Sequence, residues 1–186
     1  LEKFFKNKKI IITGHTGFKG SWLALWLLKY NSKIVGISLK ESRKNLFYKS
    51  LEIEKKIKSY YFDINLNLSL LKKIIKLEKP DFIFNLAAQA IVSKSYYDPI
   101  YTLKNNIGIN INLFEALREY NKKCSIVLVT SDKVYENLER KKSYKENDLL
   151  GGKDIYSSSK SSSELIFRAY FQSFLKYKKN LNFGIA

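Results

Sequence analysis

Apolar residues along this chain alternate between short β-branched runs and longer stretches with helical spacing. Ile10, Ile11, Ile12 and Thr13 form the first run, and an unbroken apolar run of that length suits a strand covered on both faces. A glycine-rich turn and a helical stretch over 21–30 follow, then a second strand over 33–38. A lysine-rich connection leads to a third strand over 57–62, and a helix over 66–78 is stopped by Pro80. A fourth strand over 81–85, a long helix over 101–121, a fifth strand over 125–130 and a helix over 155–176 come next. A sixth strand begins at 181–186. Strands alternating with helices predict a doubly wound parallel sheet with right-handed crossovers, a Rossmann-like α/β fold. No internal repeat or low-complexity linker divides the chain, so 1–186 reads as one domain. Because the chain stops inside a strand that no helix then covers, the expectation is a domain truncated at its C-terminal end.

Composition narrows the function classes. The 186 residues are 45% hydrophobic and 27% charged, with eight glycines and two prolines, which excludes disordered and collagen-like sequence. A single cysteine, Cys124, excludes a disulfide framework and a cysteine-based zinc site, and a single histidine, His15, excludes a multi-histidine metal site. No metal site is expected. Only three isoleucines separate the basic N-terminus from Thr13-Gly14, too few for a secretory signal, and the apolar run over 22–28 is short of the roughly 20 residues that span a bilayer. The reading is a soluble, reduced, cytoplasmic protein with no membrane partner. The formal net charge of +17 suggests nucleic acid, but only Arg43, Arg118, Arg140 and Arg168 are arginines, and the lysines are scattered over the whole chain. Arginine is the expected tool for phosphate and base recognition, so no nucleic-acid partner is expected.

Chemistry concentrates in three places. Gly14-His15-Thr16-Gly17-Phe18-Lys19-Gly20 joins the first strand to the first helix, where glycines permit a tight turn, close approach to a pyrophosphate and helix-on-sheet packing. The helix N-terminus beyond it offers free N–H groups to phosphate. The second strand ends Ile37-Ser38-Leu39-Lys40, with Glu41 and Arg43 beyond. An NAD enzyme there commonly carries an acid for the adenosine ribose; none stands in place, so NAD and NADP both stay open. Tyr156 alone of the thirteen tyrosines has lysine four residues on, at Lys160. On a helix the two share a face, and a Lys160 ammonium is expected to lower the Tyr156 phenol into use as a base. The fifth strand ends Val129-Thr130-Ser131-Asp132-Lys133. Ligands of open α/β sheets bind beyond the carboxyl ends of strands, so Thr130 is expected to face the cofactor. Ser131 is expected to bond the hydroxyl that Tyr156 deprotonates, with Asp132 and Lys133 as a possible acid/base pair.

Together, GHTGFKGSW, NLAAQ (85–89), TSDKVYEN (130–137) and GGKDIYSSSK (151–160) resemble the extended short-chain dehydrogenase/reductase superfamily, and within it the CDP-glucose 4,6-dehydratases. The resemblance implies a dinucleotide domain whose substrate domain lies outside this chain. It implies that Gly14, Thr16, Gly17, Phe18, Lys19 and Gly20 hold the dinucleotide pyrophosphate, that Asp63 and Ile64 lie near adenine, and that Leu86, Ala87, Ala88 and Gln89 line its path. Asn106 supports the neighbouring helix, and Thr130, Tyr156 and Lys160 complete the nicotinamide end. Gln89, Ser95 and Tyr96 are expected near the sugar, where Ser93-Lys94 depart from the family's usual basic pair. The implied reaction oxidises the sugar at C4 with NAD through Tyr156, eliminates water across C5 and C6 with Asp132 as acid, and returns hydride to C6. Related dTDP-glucose dehydratases carry glutamate at position 133. Lys133 is therefore either a neutral base that burial or Lys160 must strip of its proton, or a cation that polarises the intermediate. A 4-epimerase or reductase shares Tyr156 and Lys160 without needing Asp132 and Lys133. A third reading is a cofactor-binding fragment without turnover. The resemblance also implies a homodimer or higher homo-oligomer, formed through the two long helices.

Overall fold

The computed structural model describes residues 1–40, 46–139, 141 and 143–186; Glu41 and Arg43 lie outside the described residues. Six strands, β1 (Lys9–Thr13), β2 (Lys33–Ser38), β3 (Lys58–Tyr61), β4 (Phe82–Asn85), β5 (Cys124–Leu128) and β6 (Leu181–Ile185), form one sheet in the order β3-β2-β1-β4-β5-β6. Every pairing is parallel. The order reverses direction between β1 and β4, and that switch point leaves a crevice beyond the strand ends. The doubly wound Rossmann-like fold expected from the alternation is the fold found.

The helices are α1 (Glu2–Phe5), α2 (Phe18–Lys29), α3 (Leu46–Ser50), α4 (Leu68–Glu78), α5 (Val92–Tyr97), α6 (Pro99–Arg118) and α7 (Ile155–Ser173). Alternation along β1 divides the core. Ile11 joins Ile83, Ile126, Leu71, Ile75, Leu113 and Phe114 beneath α4 and α6. Ile10 and Ile12 face the other way, against Ala24, Leu27, Ile34 and Tyr48 beneath α2 and α3. All three isoleucines are buried, and each side chain contributes roughly 1.5–3 kcal/mol by leaving water.

Some boundaries differ from expectation for local reasons. α2 starts at Phe18, not 21, because the glycine turn runs directly into its first turn. α6 starts at Pro99, where the Asp98 carboxylate accepts from the Tyr101 N–H at 3.0 Å; proline at the first helical position loses no hydrogen bond. α7 ends at Ser173, and Leu175–Tyr177 continue it only as a 3₁₀ turn. α1, α3 and α5 are too short to show periodicity. α1 is fixed by Phe4 and Phe5, each 5.3 Å from the Phe82 ring. No described helix is long and apolar enough to cross a membrane.

At the opposite end of the sheet from the crevice, the buried Glu78 carboxylate closes α4. It accepts from Lys58 Nζ at 2.6 Å, Tyr60 Oη at 2.7 Å and Lys9 Nζ at 3.3 Å. Burial pushes this carboxyl up, but the three donors outweigh it and hold it below its ordinary value. A depressed acid contributes stability at neutral pH that disappears as pH falls below about 4.5. Glu78→Gln is expected to lower the urea midpoint at pH 7 by an amount equal to about 1–2 kcal/mol, with the gap to wild type closing by pH 3. A gap that persists undiminished at pH 3 contradicts the charge assignment.

Candidate active site

Thr13 ends β1 and the chain turns at Gly14, whose φ is +70°. A Cβ there would stand 2.9 Å from the Ala87 backbone nitrogen, just past β4. At Gly20, in the first turn of α2, a Cβ would stand 2.2 Å from the Gly14 carbonyl oxygen. Two of the three glycines are thus required by backbone packing against backbone. Gly17 sits at the N-cap of α2, and no side chain caps that end. The free N–H groups and partial positive charge of the helix are therefore available to an anion.

A cavity of about 680 Å³ opens beyond the strand ends. Its walls include Gly14, Thr16, Gly17, Phe18, Lys19, Gly20, Asp63, Ile64, Leu86, Ala87, Ala88, Thr130, Tyr156 and Lys160, all singled out from sequence. They also include residues the sequence reading did not assign: Phe62, Ala90, Tyr101, Asn105, Ile109 and Val129, with Ser38, Leu39 and Lys40 at the β2 end. Thr16 Oγ1 and Ser38 Oγ are 2.7 Å apart, tying the turn to β2.

Tyr156 and Lys160 lie one turn apart on α7, both buried, with Lys160 Nζ 5.9 Å from the centre of the Tyr156 ring. The start of α7 is set by Asp154, whose carboxylate accepts from Ser157 N at 2.9 Å and Ser157 Oγ at 2.7 Å. Two amide bridges then tie α7 to the crevice. Asn106 Nδ2 donates to Ser159 Oγ at 2.9 Å and to the Gln89 carbonyl at 3.1 Å, while Asn106 Oδ1 accepts from Gln89 N at 2.7 Å. Asn110 Nδ2 donates to Ser163 Oγ at 3.0 Å, and Asn110 Oδ1 accepts from Asn85 Nδ2 at 2.9 Å. Thr13 Oγ1 closes the chain, donating to Asn85 Oδ1 at 2.6 Å and accepting from Ala87 N at 3.0 Å. Asn110 was not singled out from sequence; the available signal was a row of asparagines inside an otherwise apolar helix.

Gln89 and the Tyr156 phenol depart from expectation. Gln89 does not reach the cavity wall: its amide is consumed by Ile91 N at 2.6 Å, the Ile91 carbonyl at 3.0 Å and Thr102 Oγ1 at 3.0 Å. Ser95 is buried and bonded to the Val92 carbonyl at 2.7 Å, and Tyr96 is exposed. Ser131, Asp132 and Lys133 stand at the rim. Ser131 Oγ donates to Asp132 Oδ1 at 2.9 Å and accepts from Lys133 N at 3.2 Å, and it acts to lower the Tyr156 phenol. Asp132 and Lys133 are exposed. The expected depression of Tyr156 is reversed. Burial raises the phenol, with Asp132 and Asp154 adding to the rise against the Ser131 hydrogen bond. It is Lys160 that moves down, to about 8, through burial and the nearby positive charge of Lys19. Among the described residues no cluster of three or more histidine, cysteine or acidic side chains could hold a metal.

Residues 11–182 match the model of the GDP-mannose 4,6-dehydratase family. The chain is 35% identical over 173 residues to CDP-glucose 4,6-dehydratase of Salmonella typhimurium, covering 93% of this chain and 48% of that protein. It is 31% identical over 179 residues to dTDP-D-glucose 4,6-dehydratase of Dictyostelium discoideum, covering 90% and 41% respectively. Among solved structures, a UDP-glucuronic acid 4-epimerase from Bacillus cereus, in complex with UDP-glucuronic acid and NAD, superposes with a TM-score of 0.78 at 27% identity. That match covers 95% of this chain and 55% of the other. The chain spans about half the length, or less, of the relatives it matches.

The Lys160 environment is testable without any ligand. Its pH-dependent reaction with an amine reagent, read by mass spectrometry, is expected to show a midpoint near 8. Lys19→Gln should raise that midpoint while burial still keeps it under the ordinary lysine value of about 10.4. A wild-type midpoint above 10 contradicts the arrangement.

Proposed function

The chain belongs to the GDP-mannose 4,6-dehydratase family, and from that membership we propose that residues 1–186 form the NAD-binding part of a nucleotide-sugar 4,6-dehydratase acting on CDP-glucose. The observation that carries this reading is one cavity with the glycine turn and uncapped α2 at one end and the Tyr156–Lys160 pair with Thr130 at the other. The similarity to a CDP-glucose 4,6-dehydratase supports the substrate, and the NAD complex of the related epimerase supports the cofactor.

The residues present fit such a dinucleotide. Gly14 and Gly20 leave a cradle that a Cβ would fill, and Gly17, Phe18 and Lys19 would hold the pyrophosphate at the α2 N-terminus. Thr16, Ser38 and Lys40 would meet the adenosine ribose, Asp63 and Ile64 the adenine, and Leu86, Ala87 and Ala88 the path between. Asn106 braces the wall. Thr130, Tyr156 and Lys160 would meet the nicotinamide end. Bound NAD supplies a two-electron acceptor that takes hydride from the sugar and gives it back. Lys40, a cation where an acid would favour NAD, makes NADP the comparison to run.

Tyr156 takes up the C4 hydroxyl proton, with Ser131 acting to lower its phenol. Its raised resting value means that the phenolate needs help. Lys160, lowered to about 8, is still mostly ammonium at neutral pH, and a cation brought against the phenol favours the phenolate. Asp132 protonates the departing C6 hydroxyl, which leaves as water, while the C5 proton, acidified by the neighbouring C4 ketone, passes to solvent at this exposed edge. Lys133, exposed beside Asp132, acts as a cation that polarises the intermediate. A 4-epimerase uses the same tyrosine and lysine, and the product distinguishes the two readings.

With CDP-glucose and NAD in deuterated water, a dehydratase yields a 4-keto-6-deoxy sugar carrying solvent deuterium at C5. An epimerase leaves all the hydroxyls in place. Tyr156→Phe is expected to lower kcat by about 10²–10⁴-fold while changing dinucleotide affinity less than about threefold. A product that retains its C6 hydroxyl removes the dehydratase reading.

A further inference from the structure

His15 sits inside the glycine turn yet faces away from the cavity. It is fully buried, and its ring lies flat over Gly36 in the middle of β2, where a Cβ would meet Cγ, Cδ2 and Nδ1 at 2.4–2.5 Å. The imidazole thus occupies the space that any other residue at position 36 would take. Its Nε2 lies 3.1 Å from Ser59 Oγ on the edge strand β3, and Ser59 pairs in register with Gly36. Tyr48 from α3 packs edge-on at 5.6 Å between ring centres, and Tyr61 from β3 at 5.9 Å. The His15 backbone carbonyl accepts from Ser21 Oγ of α2 at 3.2 Å. The residues on either side, Gly14 and Thr16, are both on the cavity wall.

From this geometry we propose that His15 is a positioning residue: its imidazole, seated over Gly36 and bonded to Ser59, holds the glycine turn in the shape that receives a dinucleotide pyrophosphate. This rests on the dinucleotide reading of the cavity and adds a control from outside it, since the grip comes from β3 and α3, which contribute no glycine to the turn. The groups facing the ring are Tyr48, Ser59 and Tyr61; Glu54, before β3, acts on Tyr48. Burial raises the Tyr48 phenol and keeps it protonated. Burial likewise lowers His15 to about 4, with the Ile37 backbone opposing. The seated ring is therefore neutral. A ring released to water returns to about 6.5, so seating is fully favoured above pH 6.5 and weakens as pH falls toward 4. At pH 5 the seated form loses about 30-fold against the released one.

Amide hydrogen exchange of the protein without dinucleotide, corrected for the intrinsic pH dependence, reads the turn directly. Protection of residues 14–20 is expected to fall about 30-fold from pH 7.5 to pH 5 in wild type, with β4 unchanged. In His15→Gln it should already be low at pH 7.5 and show no such fall. Gly36→Ala, which pushes on the ring from below with His15 intact, should loosen the same residues. NAD affinity at pH 7.5, read by the fluorescence of Trp22 on α2, should fall at least fivefold in both variants. Protection at 14–20 that matches wild type in both variants overturns the proposal, as does a loosened turn with unchanged NAD affinity. Wild type that binds neither NAD nor NADP overturns the dinucleotide reading, and the exchange data keep that failure separate.

Discussion

Backbone meets backbone at the head of β1, and the rest of the molecule is arranged around that contact. A Cβ on Gly20 would stand 2.2 Å from the Gly14 carbonyl oxygen, and one on Gly14 would stand 2.9 Å from the Ala87 nitrogen. Neither obstacle is a flexible side-chain end that could swing aside. α2 can therefore begin immediately after β1, with its uncapped N-terminus beside the crevice between β1 and β4. With a side chain at either position the helix start would have to retreat, and the cavity would lose the part of its wall built by Gly17, Phe18, Lys19 and Gly20.

The opposite wall is held by neutral hydrogen bonds. α7 carries Tyr156 and Lys160, and its height over the sheet is fixed through Asn106–Ser159 and Asn110–Ser163. Asn85 and Thr13 continue the connection to the sheet centre. Each bond contributes only about 1 kcal/mol net, but a buried amide left without its partner costs more, so the set tolerates a single register. Burial lowers Lys160 and raises Tyr156 on one face of α7, with Lys19 adding to the first shift and Asp132 and Asp154 to the second.

Much of this could be read from residue order. β1 announces itself because Ile10, Ile11 and Ile12 are apolar on both faces, and the strand–glycine–helix sequence fixes where the crevice must lie. Helix ends were less readable. Pro99 looks like a stop but serves as a start, because Asp98 caps it. Tyr156 and Lys160 were found by their spacing, but the direction of their mutual influence was not, since it depends on how far each is shut from water and on Lys19, distant in sequence. Gln89 shows the converse limit. Its motif places it beside Ala88 on the wall, but its amide is spent on Ile91 and Thr102, a detail set by how the chain folds back from α6.

In the proposed function one dinucleotide lies across the switch point, from the glycine turn to the tyrosine of α7. A crystal structure of the protein grown with NAD tests it most directly. Pyrophosphate oxygens are expected on the N–H groups at the start of α2, with the nicotinamide ribose within hydrogen-bond reach of Tyr156 and Lys160. Density for the dinucleotide elsewhere, or a nicotinamide ring turned away from α7, contradicts it.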